Sequence, residues 1–236
     1  MPKKTSADAT KPSTAIRPGT LDSQGELTCR HYDDSGVALP ETYAHGQGTI
    51  GFLMDWYASM PRGVVSKPQP QVLAEFFTSM LILSAEFKYK PAIGANNYLY
   101  FIDERWELSL IPPEQWTQQR QDGYAGLCRL LTDRTWTIVP SGQLTEDTPV
   151  ADAVRRFYDG FRLAMDTDGT LEDVLPFFAG KFSYYRRLNA NALSRSIRAA
   201  TTLSGDRNKP VREWALQLPS ARQLLLSNTD GSDSDR

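Results

Sequence analysis

Between positions 70 and 89, Val72, Leu73, Phe76, Phe77, Met80, Leu83 and Phe87 recur with the 3.6-residue period of a helix. Pro70 stands near its start, where proline is tolerated. Lys90-Pro91 ends it, because a residue before proline is pushed out of the α region. The period then changes. Residues 97 to 102 and 105 to 111 are rich in β-branched and aromatic side chains, with Asp103-Glu104 as the turn between them; residues 124 to 131 and 134 to 139 repeat the arrangement around Thr132-Asp133. This predicts a small antiparallel four-stranded meander of two hairpins, one face of which must be covered by the preceding helix. Trp106 and Trp136 fall inside strands, where a large ring is expected in the core.

After Pro140 the helical period returns. Val150, Ala153, Val154, Phe157, Tyr158, Phe161 and Met165 form a stripe opened by Thr148 as N-cap and Pro149 as first helical residue. Further helices are expected from Thr170 to a stop at Gly180, over 182 to 202, near 210 to 217 and over 220 to 226. Upstream, residues 49 to 60 predict a buried helix, and 26 to 32 a strand followed by a turn at Asp33-Asp34-Ser35-Gly36. The fold class is α+β. The expected organisation is a disordered tail over 1–20, an α+β core over 21–140, a helical region over 141–227 packed on or beside it, and a second disordered tail over 228–236.

Composition narrows the setting. Hydrophobic residues at 40% and charged residues at 23% are globular values, so the chain can fold on its own core. No apolar run approaches the ~20 residues of a membrane span, and the N-terminal lysines precede no apolar segment. Two cysteines, Cys29 and Cys128, are too few for a disulfide framework. A cytoplasmic protein without a membrane partner is expected. The net charge of −2 hides an asymmetry: residues 141 to 180 carry eight acids and three arginines, and residues 181 to 212 eight bases and one acid. Such a pair of segments either marks a partner surface or neutralises itself on folding.

Few motifs carry chemistry. Gly46-Gln47-Gly48-Thr49-Ile50-Gly51 satisfies G-x-G-x-x-G but lacks the preceding strand and the later acid of a dinucleotide site, and reads as a loop entering a helix. Cys29, His31 and His45 fall short of a zinc ligand set or an activated thiol. Asp166-Thr167-Asp168-Gly169 places Ala164 and Leu175 where a calcium loop needs carboxylates, so it reads as a turn, with Thr170 capping the next helix and Asp173 in its first turn. No cofactor or metal is expected. Arginines and aromatics do cluster over 181 to 212, where Tyr184, Arg186, Arg187, Arg195 and Arg198 form the candidate nucleic-acid or partner surface: arginine pairs with phosphate and tyrosine stacks on bases. The competing reading makes this an amphipathic helix whose arginines answer the acidic segment.

The central block, IGANNYLYFIDERWELSLIPPEQW followed by YAGLCRLLTDRTWTIV, resembles an uncharacterised domain-of-unknown-function family with short bacterial and animal members. Ile93, Gly94, Tyr98, Leu99, Tyr100, Leu108, Ser109, Ile111, Pro113, Trp116, Leu130, Leu131, Asp133, Thr135 and Trp136 carry the likeness, over about residues 70–139. The resemblance implies a helix before a two-hairpin block and brings no activity or site residues with it. From the residues themselves, the expected function is a non-enzymatic protein-binding or adaptor module acting on another protein or on itself. An RNA or single-stranded DNA binder through 181–212 is the alternative. An enzyme assembled only in the fold, from scattered carboxylates such as Asp55, Glu75, Glu107 and Glu114, is the second alternative.

Overall fold

The computed structural model describes residues 20–21, 27–28, 49–145, 147–177 and 181–227. Cys29, His31, His45, the turn at 33–36, Gly46, Gly48, Gly180, residues 1–19 and the predicted tail over 228–236 lie outside them. The chain divides into two compact units at Ala58/Ser59. In the first, β1 (Thr20–Leu21) pairs antiparallel with β2 (Leu27–Thr28), and α1 (Thr49–Ala58) follows. The helix forms as expected, but Phe52, Leu53, Met54 and Tyr57 are exposed rather than buried.

In the second unit, α2 (Gln69–Ser84) is the central helix, with Val72, Leu73, Phe76, Phe77, Leu81 and Leu83 buried as the periodicity requires. It ends at Ser84, about two turns before Pro91. At Ala85 the backbone turns extended, and two tertiary contacts account for the early stop. Arg186 donates from Nε and Nη2 to the carbonyl of Leu83, at 3.1 and 2.9 Å, satisfying an orphan acceptor of the last turn. Glu86 then runs beside a strand, its N–H donating to Trp106 O at 2.8 Å and its carbonyl accepting from Leu108 N at 3.1 Å. Phe87 is buried from this extended segment instead of from a helix.

The sheet comprises β3 (Asn97–Ile102), β4 (Arg105–Ser109), β5 (Tyr124–Leu130) and β6 (Trp136–Pro140), all antiparallel. Both predicted hairpins are present and the class is α+β. The strand order is β4-β3-β5-β6, however, so the hairpins join through their first strands and the sheet is not a strict meander. The outer edge of β4 is taken by Glu86, which leaves β3 as the strand open to β5. Gly126 permits the close approach of β6, since a Cβ there would lie 2.6 Å from Val139 O. Leu99, Leu108, Cys128, Leu130, Trp136 and Ile138 are buried with α2 in one core.

The connection from β4 to β5 carries a 3-10 turn (Pro113–Gln115) and α3 (Gln118–Gln121). Beyond β6, a second 3-10 turn (Gly142–Thr145) leads into α4 (Pro149–Ala164), whose N-cap Thr148 accepts from Ala151 N at 3.1 Å. The helices α5 (Leu171–Val174), α6 (Tyr184–Ser204), α7 (Val211–Ala215) and α8 (Ala221–Ser227) complete the described chain. Sheet and C-terminal helices share one body: α2 touches α4, α6 and α8 as well as β4 and β6. Phe77 packs edge-on against Phe161 at 5.3 Å and Tyr158 at 5.9 Å. Asp173 closes the capping box on Thr170, and Gly169 leaves room for its carboxylate.

The β3–β4 turn carries local strain. Asp103 and Glu104 sit at φ 49° and 58°, the left-handed pair of a two-residue hairpin turn that favours Asn-Gly or Asp-Gly. Glu104 reaches Arg156 at 3.2 Å, but both side chains are exposed and such a pair contributes little. Glu104→Gly should therefore raise stability by about 0.5 to 1 kcal/mol in a urea titration. A net loss would show that the contact with Arg156 outweighs the strain.

Candidate functional site

Three charged side chains are buried together at the start of α2. Pro68 is extended and Pro70 occupies the first turn, so Lys67 lies just outside the helix. Gln71 and Glu75 are one turn apart and share a face. The third charge comes from the β5–β6 turn, which closes with Leu131 N donating to Thr135 O at 2.9 Å and Arg134 at φ 70°. Asp133 Oδ1 accepts from Thr135 N and Oγ1 at 3.0 and 2.7 Å. That bond fixes the carboxylate with Oδ2 toward the lysine.

The geometry is saturated. Lys67 Nζ donates to Glu75 Oε1 and Oε2 at 2.9 and 2.7 Å and to Asp133 Oδ2 at 2.6 Å, one oxygen for each of its protons. Gln71 Nε2 donates to Glu75 Oε1 at 3.0 Å. Lys67, Glu75 and Asp133 are all buried. Burial pulls the lysine pKa down, but the two carboxylates more than offset it and the ammonium stands above its ordinary value. Burial pushes Asp133 up, yet Lys67 and the Thr135 bonds hold it below the usual carboxylate range. Burial also pushes Glu75 up, and there Lys67 compensates only in part, so its carboxyl stands above the ordinary value. An ammonium already bonded to three oxygens has no proton in reach of a substrate. The cluster locks the segment before α2 to α2 and to the β5–β6 turn.

The cavities lie elsewhere. One of about 470 Å³ opens between α4 and α8, and one of about 510 Å³ lies over Phe87, Trp106 and Leu108; Lys67, Glu75 and Asp133 line neither. Of the carboxylates singled out in the sequence, Glu75 meets Lys67, Glu107 pairs with Arg120 at 3.6 Å, Asp55 belongs to the first unit, and Glu114 sits in the 3-10 turn. The acid that joins Glu75 is Asp133, which reads in the sequence as a turn residue. Among the described residues, no three His, Cys, Asp or Glu side chains gather to hold a metal ion. Burial pushes the Cys128 thiol well up, which suppresses the thiolate.

The basic segment folds largely as α6, and most of its arginines are used within the molecule. Arg186 caps α2 and stacks over Phe182 at 4.3 Å. Arg195 sits against the sulfur of Met60. Arg198 lies over Phe177 at 4.4 Å and meets Glu172 at 3.5 Å, which also binds Arg207 at 2.6 Å. Arg212 reaches Asp168 at 2.9 Å and Asp166 at 3.5 Å. Glu172, Asp166 and Asp168 belong to the acidic segment, so the two stretches meet in space. Tyr184 packs on Tyr185 at 5.2 Å, and Arg187 is exposed.

The sheet face away from α2 was not singled out by the sequence. Its register places Tyr98 opposite Leu127 and Leu127 opposite Val139, one row across three strands. Tyr124 extends it, 6.3 Å from Tyr98 and 5.5 Å from Tyr100. The β4–β5 connection covers only one end, where Tyr100 donates to Ile111 O at 2.8 Å and Trp116 lies 6.5 Å from its ring. Burial pushes the Tyr124 phenol up to about 12, so it is a neutral hydrogen-bonding group. Leu110, Ile111 and Val139 remain exposed. Among the described residues, no helix is long and apolar enough to cross a membrane. The chain matches no family model, no curated protein and no solved structure.

Proposed function

We propose that the chain is a non-enzymatic protein-binding module, cytoplasmic, with the outer face of its sheet as the docking surface. The observation that carries the reading is the row Tyr98, Leu127 and Val139, the first two half-buried and the last exposed, on the sheet face away from α2. Glu86 bonds the edge of β4, and Ser79 Oγ accepts from Trp136 N at 2.9 Å on the edge of β6. At the β4 edge a partner therefore meets no open strand. Tyrosine with aliphatic neighbours suits a protein contact, giving rigid apolar area with a polar tip. The saturated Lys67 cluster lies away from both cavities, which favours binding over catalysis. The internal use of Arg186, Arg195 and Arg198 leaves little charge for a phosphate backbone and weighs against the nucleic-acid reading. A buried reduced thiol at Cys128 fits a cytoplasmic setting.

Val139→Glu places a charge in the row at a position 50% exposed, where fold stability should change by less than about 0.5 kcal/mol. Affinity capture from nuclease-treated lysate should retain a protein on the wild-type chain and lose it on the variant. Retention by both, or loss on nuclease treatment alone, would overturn the reading.

A further inference from the structure

We propose that the groove between α4 and α8 binds one free fatty acid, with the alkyl chain on the groove floor and the carboxylate on Arg222. The groove, of about 470 Å³, falls in the size range of small-ligand sites. Its floor is apolar: Val154 and Leu225 are 4% and 2% exposed, with Leu144 beside them. The room comes from small side chains, since α4 contributes Ala151 and α8 contributes Ala221 to the lining.

Charge at the rim selects the head group. Arg155 donates to Asp152 at 2.6 Å and reaches Asp147 at 3.4 Å, so its charge is answered within the fold. Arg222 lines the groove, is exposed, and has no hydrogen-bond or ion-pair partner among the described residues. One unmet guanidinium beside an apolar trough is complementary to a molecule with one carboxylate and one long alkyl chain. A neutral alcohol of the same length leaves the guanidinium unanswered, and a quaternary ammonium offers it no acceptor. A membrane surface is attracted by several juxtaposed cations, and this rim supplies one. The site is separate from the outer sheet face and stands independently of it.

Calorimetric titration of the full chain with dodecanoate, kept below its micelle concentration, should show one saturable site. Dodecanol and dodecyltrimethylammonium should bind about tenfold more weakly or worse, and Arg222→Gln should weaken dodecanoate about tenfold without changing dodecanol. Ala221→Phe, which fills the trough, should abolish binding with a cooperative melt retained; should it fail to fold, the exposed Arg222→Gln variant still decides. Equal binding of the three amphiphiles would overturn the carboxylate assignment. So would the absence of any saturable site. A site that appears only after residues 228–236 are removed would assign the groove to the end of the chain itself, and Arg222-dependent sedimentation with phosphatidylserine vesicles would assign it to a membrane; either result overturns the proposal.

Discussion

Replacing Lys67 by methionine is expected to cost about 3 to 5 kcal/mol at neutral pH, a large share of a domain's stability. The methionine fills much of the same volume, so packing is largely kept. What is lost is the cation that answers two buried carboxylates, Glu75 and Asp133, at 2.7 and 2.6 Å. The pH dependence identifies the cause. In the wild type Asp133 is held below its ordinary pKa, so its contribution is present above the usual aspartate range and fades as pH falls through the lower folded value. Lys67 stands above its ordinary value, so its contribution is complete below that value and fades as alkaline pH passes the higher folded one. Glu75 works against Asp133: its raised pKa favours the fold at low pH, and that advantage is gone once pH has risen through the folded value.

Without Lys67 both carboxyls are raised by burial and by each other. Stability of the variant is then greatest in acid and declines as pH rises through the folded carboxyl values. Urea titrations at pH 7 and pH 4.5 should show the deficit of Lys67→Met shrinking toward acid, and Lys67→Met with Glu75→Gln should recover part of it at pH 7. A deficit under about 1 kcal/mol at pH 7, the size of a surface pair, would mean that water reaches the cluster and that it locks nothing.

The cluster joins residues that no local signal in the sequence links. Elements specified by neighbouring residues were legible: β3 runs over Asn97–Ile102 with its turn at Asp103-Glu104, and α4 opens on Thr148-Pro149. Their signals are local, a period and a cap. The end of α2 was not legible, because Arg186, 103 positions away from Leu83, supplies the cap, and Glu86 is drawn to β4. Strand order was missed for the same kind of reason, since β3 pairs with β5 across an intervening hairpin partner. Lys67 and Asp133 lie 66 positions apart, and neither is unusual in its own neighbourhood. The outer face was not legible: β3 and β5 carry apolar side chains on both faces, and which face the helices take depends on pairing. The opposite charges of residues 141–180 and 181–212 did announce their meeting, because the complementarity of two whole segments survives ignorance of register.

Trp136→Ala is expected to cost about 3 to 5 kcal/mol, from lost burial and from the cavity left behind. The ring is 1% exposed, at the first residue of β6 and opposite Leu130. It belongs to the same core as Leu73 and Phe77, in which the central helix and the sheet share their buried surface. Ile138, two residues on and on the same face, is buried with it, while Val139 is exposed. The surroundings can collapse little, because the backbone N–H of residue 136 is tied to Ser79 Oγ at 2.9 Å, holding the strand at its distance from α2. Trp136→Phe should retain much of the lost stability, as it keeps an aromatic ring in the site. The alanine variant should lower the urea midpoint without changing the slope, since the surface exposed on unfolding is nearly the same. Loss of under about 1 kcal/mol would place the ring at the surface, and would remove with it the assignment of the opposite, Tyr98-bearing face as the open one.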